Sequence, residues 1–302
     1  MDVGHVIAFS IDAATRRLLE LAIDELGDPP VSWSWLALGS AARQEQAIRT
    51  DQDHGLAYEG DAEVAEPYLG ALAEFVTSGL ESAWLTRCVG NVMATNDALR
   101  LSVRDWVQRY HAWMREIGPR ASEQLTIVVD YRPVAGPLDP RPRRGHARAK
   151  DRPLFLDQLA RRALDLRPPI GFVRGLLVEH GGEHPGTVDI KHGGILIIGN
   201  LARAYAIRSG VTAKRTLARL RGAEAAGAID AETRESLEEA FRFLWEVRLR
   251  HHVEQLEAER EPDDFVDPDH LGGVARQGIK EAFRIIVRAQ KAVALESGIS
   301  MR

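Results

Sequence analysis

Residues 36–56 read LALGSAARQEQAIRTDQDHGL, and the fold turns on how that stretch divides. Trp33, Trp35 and their apolar neighbours through Leu38 form a short β-like run that stops at a glycine. Gly39 lets the backbone come close to a ligand. Residues Ala41 to Ile48 then read as a short helix. Ser40 becomes its N-cap, and the free amides of the first turn face whatever lies beyond the strand, a setting that favours phosphate oxygens. With Thr50 to Leu56 extended, Asp51 and Asp53 project from one face of a strand, and Gln52 and His54 from the other.

Two hard oxygen ligands converging on one spot suit nucleotidyl transfer. There, two Mg²⁺ ions roughly 3.5–4 Å apart activate the attacking oxygen and steady the leaving pyrophosphate. A third carboxylate is expected from LTIVVDYRPV, where Ile127 to Val129 make a β-branched run and Asp130 ends it, on a strand beside the Asp51 strand. Taken singly, Gly-Ser at a strand end is a turn and Asp-x-Asp a solvated loop. Their order and spacing, followed by a strand-borne Asp, carry the chemical reading.

Gly39-Ser40, the spacer, Asp51-x-Asp53 and the distant Asp130 resemble the nucleotidyltransferase core of the DNA polymerase beta superfamily. More closely, GSAARQEQAIRTDQDHGL resembles the bacterial family called putative nucleotidyltransferases. That family is often fused behind CBS or cyclic-nucleotide-binding domains and is related to the PII uridylyltransferase and the glutamine-synthetase adenylyltransferase. Arg43, Glu45, Thr50, Asp51, Gln52 and Asp53 carry the likeness. It continues through Cys88 to Ala94, Asp130-Tyr131-Arg132, Asp189-Ile190-Lys191, Ala202-Arg203 and Arg248 to His252. Only about thirty residues precede the core, too few for a further domain, so regulation by such a module is not expected.

The resemblance implies an α+β fold: a polymerase-beta-type core, with a small mixed sheet and helices, followed by an α-helical bundle. The expected divisions are an N-terminal helix in 1–30, the core in 31–138, a basic linker in 139–152 and a helical C-terminal domain in 153–302. Periodicity supports helices over Ile11 to Leu26, Ala62 to Leu80 and Leu99 to Trp113, with Trp106 and Trp113 as core rather than base-stacking residues. In the second half, helices are expected over Pro153 to Leu166, Ile195 to Arg208, Ala213 to Ala226, Ala231 to Leu256 and Gln277 to Ala294. RPRRGHARAKDR, 141–152, reads first as a linker and second as a phosphate- or RNA-binding arm.

The bundle's candidate is DIKHGGIL, 189–196, similar to the Lys and Gly-Gly segment of the adenylyl- and uridylyltransferase relatives. Lys191 is placed to contact nucleotide phosphate, with Arg203 in support. The competing reading is an ion pair of Lys191 with Asp189 at a helix start. His251 and His252 are adjacent on a helix and cannot form an i,i+4 metal pair.

A net charge of -5 argues against a protein held mainly by nucleic-acid phosphates. The single cysteine, Cys88, allows no intrachain disulfide and has no evident base partner for nucleophilic catalysis. No apolar run reaches membrane-spanning length and no secretory signal is evident, so a cytoplasmic enzyme without a membrane role is expected. There is no Walker loop, dinucleotide fingerprint or zinc spacing. The expected reaction moves an NMP group from an NTP, bound at Gly39 and Ser40 with Arg43 on its phosphates, to an acceptor hydroxyl. Asp51, Asp53 and Asp130 hold Mg²⁺, and pyrophosphate leaves. The resemblance implies a protein acceptor; a small hydroxylated acceptor stays open, as does self-association through the terminal helices. The alternative function is a catalytically silent nucleotide-sensing or scaffold module in signal transduction.

Overall fold

The computed structural model describes residues 2–113, 115, 129–140, 151–171, 176–178 and 183–300, and the chain divides into two compact units, 1–145 and 146–302. The arm-or-linker segment therefore lies outside the described residues, apart from Asp151 and Arg152.

The first unit is a four-stranded mixed sheet packed by helices. Its strands are β1 (Ser32–Leu38), β3 (His54–Glu59), β5 (Arg100–Ser102) and β6 (Tyr131–Ala135), in the order β5-β3-β1-β6. A two-residue parallel ribbon, β2 (Asp51–Gln52) with β4 (Thr86–Arg87), stands beside it. β1 is antiparallel to both β3 and β6, and β5 runs parallel to β3. Trp35 through Leu38 are buried in succession, as befits a central strand covered on both faces. Helices α1 (Asp2–Leu26) and α3 (Ala62–Ser82) cover the sheet through Leu19, Ala22, Leu69, Leu72 and Val76, packed on Trp35 and Leu56.

α1 starts nine residues before the expected Ile11. Gly4, a poor helix former, hid that extension. The glycine is used for close packing, since a Cβ there would meet the Gln46 carbonyl oxygen at 3.1 Å. The expected helix over Leu99 to Trp113 begins only at Val103 (α4, Val103–Trp113), after β5. Trp106 is buried and donates its indole N–H to the Leu56 carbonyl at 2.9 Å. Gly55 makes room for that indole, with a hypothetical Cβ 3.2 Å from the ring.

The second unit is helical, as expected, with α5 (Pro153–Asp165), α6 (Leu196–Arg208), α7 (Thr216–Ala225), α8 (Ala231–Glu257) and α9 (Gly273–Ser297). α6 is buried nearly all round, from Ile197 to Ile207, and forms the centre of the bundle. Gln290 on α9 donates to the carbonyls of Ala163 and Leu166, capping the end of α5. A short ribbon, β7 (Val188–Asp189) against β8 (Phe265–Val266), was not foreseen. Among the described residues no helix is long and apolar enough to cross a membrane.

Candidate active site

The site of the first unit forms where β1 ends. Leu38 donates its backbone N–H to the Asp53 carbonyl at 3.0 Å, and Gly39 donates its own to the Asp130 carbonyl at 2.8 Å. Two successive amides of the central strand thus tie the Asp-x-Asp segment to the distant aspartate. Gly39 has φ +53, and a Cβ at this position would come within 3.2 Å of Asp53 Oδ2. Both the left-handed backbone and the carboxylate beside it call for glycine.

The expected helix over Ala41 to Ile48 is shorter and earlier: α2 spans Gly39–Arg43. Ser40 is therefore its second residue rather than its N-cap, which is Leu38, without a side-chain cap. The helix stops because Gln44 turns left-handed, with φ 57, and Arg43 and Glu45 then turn inward. Arg43 donates to Glu45 at 2.9 Å and to Asp130 Oδ2 at 2.8 Å, all three side chains being buried. Burial opposes the Arg43 charge, but the neighbouring Asp130 and Glu45 outweigh it and hold the guanidinium ionised above its ordinary range.

Asp130 is corrected in place. It stands just before β6 rather than at the end of a strand, and β6 pairs with β1, not with the Asp51 strand. Pro133 concealed the strand; it is tolerated because β6 is a sheet edge. Arg132 follows, donating to Asp12 on α1 and to the Ala41 carbonyl.

The extended reading of Thr50 to Leu56 is realised in β2 and β3, with Asp51 and Asp53 half-buried and Gln52 and His54 buried. The inward pair forms a saturated network. Gln52 donates to the carbonyls of Thr77 and Leu85 and faces the His54 Nε2 at 3.0 Å, while His54 Nδ1 accepts from the Ala94 amide. That acceptor role fixes a neutral imidazole with its proton on Nε2. Burial, helped by the nearby Arg87 charge, pushes the His54 pKa down to about 3. His54 thereby pins the Cys88–Ala94 segment against the aspartate strand.

Asp51 and Asp53 oxygens and the Cys88 sulfur all lie within 4.8 Å of one another. Ligands about 2.0–2.5 Å from a common ion are separated by no more than about 5 Å, so the three atoms fit one divalent cation. The recess behind the carboxylates holds only about 30 Å³, room for a water or an ion but not for a nucleotide.

Lys191 and Arg203 belong to the second unit. Lys191 opens a π-helical turn, Lys191–Ile195, that runs into α6. In place of the competing ion pair with Lys191, Asp189 accepts from the His192 amide and faces its ring, each at 2.7 Å. Gly193 and Gly194 are buried rather than an open turn, and a Cβ on Gly194 would strike Leu244 Cδ1 at 2.6 Å. Arg203 is buried and donates to Asn200 at 2.6 Å. Arg248 and His252 converge on Asp264, and His251 meets Asp263.

One family model, described as putative nucleotidyltransferase DUF294, matches residues 1–120, and a second, described as putative nucleotidyltransferase substrate binding domain, matches residues 153–296. The chain belongs to this family of putative nucleotidyltransferases. No curated protein matches the chain.

Nucleotidyl transfer is the general reaction of that family, and the Asp51–Asp53 pair supplies an acidic place for a metal. Within the nucleotidyltransferase unit the fold gathers Gly39, Ser40, Arg43, Asp51, Asp53 and Asp130 around the end of β1. Two further residues stand beside this site. Glu45, which carries the family likeness in the sequence, accepts from Arg43 and completes a buried triad with Asp130; Cys88, without an evident base partner, faces the carboxylates. The sequence signal for Cys88 is the family likeness that runs through Cys88 to Ala94.

Proposed function

We propose that the protein is a Mg²⁺-dependent nucleotidyltransferase that moves an NMP group from an NTP to an acceptor hydroxyl, on a protein, with release of pyrophosphate. The observation that carries this reading is the convergence of Asp51 and Asp53 beside the glycine that ends the central strand. Family membership of both units agrees with it.

Asp51 and Asp53 are the residues that would hold Mg²⁺, as two ions; Asp130, packed against Arg43, is the third carboxylate of the site without joining their ligand cluster. The metal, when bound, supplies positive charge for the triphosphate and for charge growing on the leaving group. Ser40 offers its hydroxyl to the triphosphate, and Gly39, without a side chain, leaves the backbone room for it to approach. Asp130 takes the proton of the acceptor hydroxyl, whose oxygen attacks the α-phosphorus. The bond to the α,β-bridging oxygen then breaks, and pyrophosphate departs. Arg43 holds the Asp130 carboxylate in place through their 2.8 Å contact. In the second unit, Lys191 is the more accessible basic candidate for an anionic group of substrate, whereas Arg203 acts from within the bundle.

Purified protein incubated with Mg²⁺, each α-³²P-labelled NTP and lysate from its own source should transfer label to a macromolecular fraction. The Asp51→Asn/Asp53→Asn double variant should not. Tight NTP binding with neither labelling nor pyrophosphate release under these conditions would overturn the proposal in favour of a nucleotide sensor.

A further inference from the structure

β2 and β4 pair in parallel, Asp51 opposite Thr86 and Gln52 opposite Arg87. One step further along the same register, Cys88 comes abreast of Asp53, and its sulfur joins the carboxylate oxygens within 4.8 Å. The chain then turns sharply: the Asn91 amide donates to the Cys88 carbonyl at 2.9 Å, and Asn91 is left-handed with φ 54. Through that turn Gly90 passes close to the sulfur, and a Cβ on it would stand 3.6 Å from Sγ. Two carboxylates and a sulfur, each within 4.8 Å of the others, make a ligand set that one divalent cation fits.

We propose that Cys88 is a third protein ligand of the cation held by Asp51 and Asp53, so that this position takes thiophilic divalent ions such as Co²⁺, Zn²⁺ or Cd²⁺ more tightly than Mg²⁺. Coordination forms a metal–sulfur bond and releases the Sγ proton to solvent. Hard oxygen donors alone favour Mg²⁺ or Mn²⁺, whereas a thiolate among them shifts the preference toward softer ions. The ligand assignment rests on the carboxylate-metal reading above. It adds a residue that the polar chemistry of the Asp-x-Asp segment does not require.

The chain contains one cysteine, so any sulfur-to-metal charge-transfer band must originate from Cys88. Titrating the full-length protein with Co²⁺ should produce such a near-ultraviolet band, and Cys88→Ser should lack it. Cd²⁺ affinity, measured calorimetrically, should fall about tenfold or more in Cys88→Ser, while Mg²⁺ affinity changes little. Cd²⁺ should also shield the wild-type thiol from maleimide, as read by mass spectrometry, and Asp51→Asn/Asp53→Asn should abolish that shielding. Co²⁺ binding without the band in wild-type protein would overturn the role of Cys88 and leave the carboxylate reading standing. A band that persists in the Asp51/Asp53 variant would overturn the shared site. Absence of any Mg²⁺ or Co²⁺ binding would overturn both readings.

Discussion

Arg43 Nη1 lies 2.8 Å from Asp130 Oδ2, two charged groups from sequence positions 87 residues apart, both buried beneath the end of β1. Glu45 closes the other side of the guanidinium at 2.9 Å. Removing the cation leaves two buried carboxylates facing each other. Arg43→Met should therefore destabilise the protein by about 3–5 kcal/mol, the usual cost of orphaning a buried charge. Arg43→Lys should recover part of this, and combining Arg43→Met with Asp130→Asn should cost less than the sum. Urea unfolding of the four proteins measures the coupling; strict additivity would show that the pair is energetically idle.

Asp51 and Asp53 are half-buried and packed close enough to repel each other. Asp51→Asn/Asp53→Asn should leave the melting temperature unchanged or slightly raised, yet eliminate transfer. Mg²⁺ should raise the wild-type melting temperature through binding linkage and leave the variant unmoved. A thermal scan with and without Mg²⁺ reports both effects, and equal shifts would place the ion elsewhere.

Gly39→Ala should cost about 1–2 kcal/mol from the left-handed backbone alone. It should also weaken Mg²⁺ binding, since the new methyl meets Asp53 Oδ2 at 3.2 Å. Gly27→Ala provides the comparison: it too has positive φ, 84, but nothing lies within 4 Å. Only the first variant should lose metal affinity by calorimetry.

His54 gives the first unit a pH dependence of definite sign. Its folded pKa of about 3 lies below the ordinary 6.5, so between those values the unfolded chain binds the proton and the folded one does not. The contribution is fully present above pH 6.5 and is lost progressively as the pH falls toward 3. Wild-type protein should lose more stability between pH 7.5 and 4.5 than His54→Leu, which is weaker overall but has no group to titrate. Parallel urea midpoints at the two pH values test this.

Gly194→Ala should disturb the second unit, because the added carbon strikes Leu244 and crowds Phe283. Overpacking of this kind costs about 1–3 kcal/mol. Nucleotide and metal binding by the first unit should survive, as equilibrium dialysis against labelled NTP would show.

Much of this protein was legible from local chemistry. The apolar run into Gly39, the alternation of Asp51 and Asp53 with Gln52 and His54, and the five long helices of the second half are short-range patterns, written in spacing that a chain cannot escape. The elements that went unread are held by partners far away. β6 contains a proline and forms because β1 pairs with it, α1 gains its first turns by packing Gly4 on Gln46, and α2 ends early because Arg43 and Glu45 turn inward toward Asp130. The same holds at the site. Spacing alone puts Asp51 and Asp53 on the opposite face from Gln52 and His54. Tertiary structure alone decided that Asp130 is locked by Arg43, and that Cys88 rather than Asp130 comes within ligand distance of Asp51 and Asp53 among the described residues. Side-chain direction within one strand follows from its two-residue period, whereas the meeting of separate strands depends on register and packing that no local pattern encodes.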